Sequence, residues 1–89
     1  MKHLTNKILF KTQDENQIKY IIKLWEEYID CKFMETNFEK INSNVMYMEF
    51  KTLGNYGTST FEKINKLINN KNIKSVFYKV ENYKVQKVS

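Results

Sequence analysis

Between residues 4 and 12 the chain alternates, with Leu4, Ile8 and Phe10 on one parity and Lys7, Leu9 and Lys11 on the other. A period of two marks a half-buried strand, so 4–12 is predicted as one. The period then changes. Ile18, Ile21, Ile22, Trp25, Tyr28 and Ile29 recur at spacings of three and four, the stripe by which a helix packs on a core. This predicts a helix over 13–31 with Trp25 and Tyr28 in the core. Thr12 or Asp14 can cap it, and Asp14 and Glu15 suit the positive end of its dipole.

Two further strands, 34–41 and 45–53, flank the turn Asn42-Ser43-Asn44. A three-residue turn sets Phe38 opposite Met48 and Lys40 opposite Met46. Phe38, Met46, Met48 and Phe50 then share one face, expected to be buried, and Ile41, Val45, Tyr47 and Glu49 share the other. Gly54-Asn55-Tyr56-Gly57 breaks the chain. Ser59-Thr60-Phe61-Glu62 follows as a capping-box pattern, with Ser59 as cap. The helix it opens is predicted to reach Asn69 and to bury Phe61, Ile64, Leu67 and Ile68, with Asn70-Lys71-Asn72 ending it.

Residues 73–88 read as strand again, but the alternation slips at Glu81-Asn82. A two-residue hairpin there would bring Val76, Tyr78, Val80, Tyr83 and Val85 onto one face, with Lys79 facing Lys84; a bulge in one long strand is the alternative. The order β-α-β-β-α-β predicts an α+β fold, a ferredoxin-like two-layer sandwich with an antiparallel sheet and room for an extra C-terminal strand. At 89 residues the chain is read as a single domain, 1–89.

Composition narrows the chemistry. With one Cys (Cys31) and one His (His3), no internal disulfide, structural zinc site or catalytic triad is expected, and no cofactor is implied. No apolar run approaches the ~20 residues of a membrane span, and the first residues lack a signal-peptide core. A reducing, cytoplasmic setting is the expectation. Ala, Pro and Arg are absent while Lys, Asn, Ile, Tyr and Phe abound, the residue usage of an A+T-rich gene. The net charge of +5 is therefore weaker evidence for a nucleic-acid partner than it looks, since functional and codon-driven lysines are not distinguished by sequence, and without Arg there is no bidentate recognition of phosphate or guanine.

The charge is nevertheless unevenly placed. Residues 1–60 carry 8 Lys and 8 acids, whereas 61–89 carry 7 Lys and 2 acids. Lys63, Lys66, Lys71, Lys74, Lys79 and Lys84 are therefore candidate binding residues. Tyr47 and Phe77 join them as aromatics expected on the open sheet face, beside Leu9, Lys7 and Lys11. Aromatics among lysines on an open sheet suit base stacking, but the segment 44–51 lacks the glycine and spaced aromatics of RNA-recognition strands. The same patch suits a dimer or partner-protein contact. Gly54–Thr60 opens a helix as anion sites do, but lacks the Walker lysine and reads as ordinary capping. Glu26, Glu27, Asp30, Glu35 and Glu39 form an acidic group with no spacing that forces convergence on a metal.

The first functional reading is a small non-enzymatic interaction protein. Size, missing catalytic parts and gene composition suggest an inhibitor of phage or mobile-element type, such as an anti-CRISPR or other counter-defence protein. It would bind a host protein or nucleoprotein complex, as a monomer or homodimer and without a membrane. The alternative is a binder of single-stranded RNA or DNA that uses the open sheet face. A nuclease or toxin would have to manage without Arg or a clear carboxylate pair.

Overall fold

A computed structural model of the chain describes residues 3–29, 35–68, 72–81 and 84–88. Its elements are β1 (His3–Lys11), α1 (Glu15–Tyr28), β2 (Thr36–Lys40), β3 (Val45–Leu53), α2 (Thr58–Ile68), β4 (Lys74–Glu81) and β5 (Lys84–Lys87). The strands form one antiparallel sheet in the order β2-β3-β1-β4-β5. The first four are arranged as in a ferredoxin-like sandwich, and β5 adds a fifth strand beyond β4.

Both helices lie on one face of the sheet and bury the even-numbered positions of β1 and β3. Ile8, Phe10, Met46, Met48 and Phe50 are sealed there with Ile18, Ile21, Leu24, Trp25, Phe61, Ile64 and Ile68. Trp25 of α1 tilts against Phe50 of β3, ring centroids 5.1 Å apart, while Phe61 of α2 stacks on Phe77 of β4 at the same separation. Helix α1 thus covers the β3 side of the sheet and α2 the β4 side. The β2–β3 hairpin has the expected register, with Phe38 opposite Met48 and Lys40 opposite Met46. Its turn is closed by the Ile41 N–H on the Val45 carbonyl at 2.9 Å, and is tied to the end of β1 by the Thr12 N–H on Asn44 O at 2.7 Å.

Asp14 caps α1, its Oδ1 accepting from the Gln17 N–H at 3.0 Å. Glu15 at the same end pairs with Lys40 of β2, and that neighbouring ammonium holds its carboxyl below the ordinary carboxylate range. A depressed carboxylate pKa stabilises the fold above the unfolded-state value and loses that contribution as pH falls through the folded one. Because the pair is open to solvent, the effect is small and screened by salt. An NMR titration should find the Glu15 midpoint lowered in the wild type and returned toward the ordinary range in Lys40→Ala.

Two details of the helices differ from the sequence reading. Tyr28 is the last residue of α1 and is 52 % exposed, not in the core. The chain leaves the helix there, and Ile29 turns inward instead, at 5 % exposure. Helix α2 begins at Thr58, so Ser59 lies inside the first turn and the predicted capping box is not the start of the helix. The Gly57 carbonyl accepts the first helical hydrogen bond, from Phe61 N–H at 2.9 Å.

The last hairpin is also shifted. Val80 faces Val85, Glu81 faces Lys84, and Lys79 faces Gln86. The expected Lys79–Lys84 apposition is replaced by an opposite-charge pair, which favours this register over the other. Tyr83, expected on the same face as Val80, lies outside the described residues.

A buried amide locks the start of α2. Asn6 points into the core side of β1 and is fully buried. Its Oδ1 accepts from the Gly57 N–H at 2.8 Å, and its Nδ2 donates to Phe50 O at 3.2 Å and Thr52 Oγ1 at 3.0 Å. The Thr52 hydroxyl in turn donates to Asn55 O at 2.6 Å. The loop from Gly54 to Gly57, with Gly54 at φ 80°, is thereby bound to two central strands.

Candidate functional site

The candidate residues divide between two surfaces rather than sharing one. On the open face of the sheet, pairing lays the side chains out in rows. Glu39, Tyr47, Leu9 and Val76 form one row, and Asn37, Glu49, Lys7, Tyr78 and Lys87 the next. Beyond them lie Lys51, Thr5, Val80 and Val85 on one side and Val45, Lys11 and Lys74 on the other. Tyr47 is half-buried on this face as expected, and the Lys7 ammonium sits 4.8 Å from its ring centroid. A shallow hollow of about 90 Å³ opens beside it, lined by Lys7, Asn37, Phe38, Glu39, Tyr47 and Glu49.

Phe77 is not part of this face. It is fully buried on the helix side, against Phe61. Residues 73–80 carry apolar side chains on both parities, so alternation could not choose between them. The stacking partner on α2 does: one large ring fills the layer over β4, and Val76, Tyr78 and Val80 are turned to the open face. Tyr78 is therefore the second aromatic there.

Lys79 and Lys84 move with Phe77. Lys79 stands on the helix side with its ammonium 5.5 Å from the Tyr56 ring centroid, an ordinary cation–π distance. Tyr56 in turn reaches back to Val80 O through its hydroxyl at 3.4 Å. Lys84 faces Glu81 across the hairpin. Lys63 and Lys66 are exposed on α2, whereas Lys74 is exposed on the open face opposite Lys11. Lys71 lies outside the described residues.

Charge is segregated across the sheet. The α2, β4 and β5 flank carries six Lys against two Glu. The opposite flank, α1 with its Asp14 cap, Glu35 and β2, carries six acids against three Lys. Of the acidic group, Asp30 lies outside the described residues, and Glu35 is paired with Lys51 at 3.5 Å. Among the described residues no three His, Cys, Asp or Glu side chains gather to hold a metal ion, and no helix is long and apolar enough to cross a membrane. Cys31 is outside the described residues.

Compared with protein-family models, with curated proteins and with solved structures, the chain shows no match.

Proposed function

We propose that the protein is a non-enzymatic interaction protein whose basic flank docks on an acidic surface of a host protein or nucleoprotein complex. The observation that supports this reading is the charge segregation: Lys63, Lys66, Lys79 and Lys84 stand on the α2–β5 side, away from the acidic flank. A dipolar surface of this kind speeds encounter with an oppositely charged partner and orients it. The gene composition and small size suit an inhibitor made by a phage or other mobile element, of the anti-CRISPR or counter-defence type. Single-stranded RNA or DNA binding by the open face is the weaker reading. Phe77 has left that face, the half-buried Tyr78 stands there beside Tyr47 in its place, and Leu9, the central residue there, is 9 % exposed.

The test is affinity capture from host lysate with the wild type and with Lys63→Glu/Lys66→Glu, both exposed positions whose exchange leaves the core untouched. A discrete complex is expected with the wild type, released by raised salt and missing with the variant. Recovery of the same complex by both proteins would overturn the assignment to this flank.

A further inference from the structure

We infer that the outer edge of β5 accepts an extended acidic segment of the partner protein, added to the sheet as a further strand. The inference rests on the reading that the basic flank meets an acidic protein surface, and specifies how that surface is held.

The main chain supplies the first argument. β5 is the last strand of the sheet on the basic side, and all four of its residues are exposed. Just beyond it, the Val88 N–H donates to Phe77 O at 2.7 Å. Hydrogen-bonded and non-bonded pairs alternate along an antiparallel ladder. The register therefore joins β4 to β5 through Phe77 with Val88, Lys79 with Gln86 and Glu81 with Lys84. The N–H and C=O groups of Val85 and Lys87 point the other way, out of the sheet. An extended chain laid beside β5 meets these donors and acceptors at ladder spacing, which is how strand addition gains its affinity.

The side chains supply the second argument. An added strand continues the alternation of β5. Its side chains beside Lys84 and Gln86 rise on the helix side, where Lys84 is exposed and Lys79 stands one strand further in. Helix α2 brings Lys63 and Lys66, both exposed, to the same side. Carboxylates at alternate positions of the incoming segment thus meet the lysines of the flank. The position beside Val85, 54 % exposed on the open face, takes an apolar residue.

A second copy of β5 is a poor occupant. The strand has no carboxylate of its own, so pairing it with its twin gathers Lys84 and Lys87 of both copies along one seam, where like charges oppose pairing. The other edge strand, β2, does not offer the same field, since it carries Glu39 and its Lys40 is engaged by Glu15.

The probe is a short capped peptide of alternating glutamate and valine, titrated into the protein at low salt and followed by NMR. Its controls are the same peptide with every backbone amide N-methylated, which keeps each charge but cannot pair as a strand, and a lysine–valine peptide of equal length. Val85→Pro removes an N–H that takes no part in the β4–β5 ladder, and edge strands tolerate proline. Lys84→Gln/Lys87→Gln removes charge at exposed positions. The acidic peptide should bind and slow exchange of the Val85 and Lys87 amides at least tenfold. The methylated peptide should bind at least tenfold more weakly, and so should the parent peptide to either variant, with unchanged far-UV spectra. Equal binding of the methylated and parent peptides would overturn strand addition and leave the flank's preference for acidic surfaces standing. No binding of either acidic peptide, or equal binding of the lysine–valine peptide, would overturn both. A protein that doubles in mass without peptide, with the same two amides protected, would make the edge a self-contact and overturn the assignment to a partner.

Discussion

Phe77→Ala is expected to destabilise the protein by about 3–5 kcal/mol, the usual cost of emptying a large aromatic site in a core. For a chain of this length the whole stability is roughly 4–13 kcal/mol, so the variant sits near the edge of folding. The ring is fully buried and stacked on Phe61 at 5.1 Å with an interplanar angle of 17°, and its loss leaves α2 without its seat on β4. Phe77→Leu keeps most of the volume and should cost under about 1.5 kcal/mol. Tyr78→Ala, its half-buried neighbour on the open face, should cost about 1 kcal/mol. Urea unfolding of the three variants checks the parity of β4 directly. A mild Phe77→Ala beside a severe Tyr78→Ala would mean that the strand presents its other side to the helices.

The second large effect is expected at the junction of Asn6 and Gly57. Asn6→Leu removes the acceptor of the buried Gly57 N–H. An orphaned buried donor costs about 1–3 kcal/mol, and Phe50 O and Thr52 Oγ1 lose the hydrogen bonds that Asn6 Nδ2 donates to them. Gly57→Ala acts on the same junction by another route. An added Cβ would stand 2.5 Å from Cε2 and 2.9 Å from Cζ of Phe50. That ring is held by Trp25 at 5.1 Å, so it cannot swing away, and a further ~1–3 kcal/mol is expected. Since both changes loosen the entry to α2, the double variant should cost less than the two added together. Strict additivity in denaturant unfolding would show that the amide and the glycine act independently.

These two sites mark where the sequence was legible and where it was not. The element order, the β2–β3 register and the core of β1 and β3 follow from periodicity, because Ile8 and Phe10 share one parity of β1 and Met46, Met48 and Phe50 one parity of β3. The parity of β4 does not, because Val76, Phe77, Tyr78 and Val80 are apolar on both sides and only Phe61, on another element, decides between them. That one choice carried Lys79 and Lys84 with it and split the candidate site in two. Tyr28 had the right spacing for the core but fell at the helix end, where the chain turns away and Ile29 takes the inward position. Asn6 gave no signal at all. A lone asparagine in a strand looks like a surface residue until the glycine 51 positions later is brought beside it. The segregation of charge was visible in part, as a basic final third. Its sharpness depends on the strand order, which puts β2 and β5 at opposite edges.

The measurement that bears most directly on the central claim is a titration against a labelled single-stranded RNA, used as a plain polyanion, at low and moderate salt. The proteins are the wild type, Lys63→Glu/Lys66→Glu and Tyr47→Ala. If the basic flank makes the acidic contact, the wild type binds at low salt with a log–log salt slope of about −2 to −3, as expected for three or four neutralised phosphates. The flank variant then loses most of that affinity, and Tyr47→Ala keeps it. Absence of binding at low salt would contradict the account. So would a loss of ~1–3 kcal/mol in Tyr47→Ala with the flank variant unchanged, since that result would move the contact to the open face of the sheet.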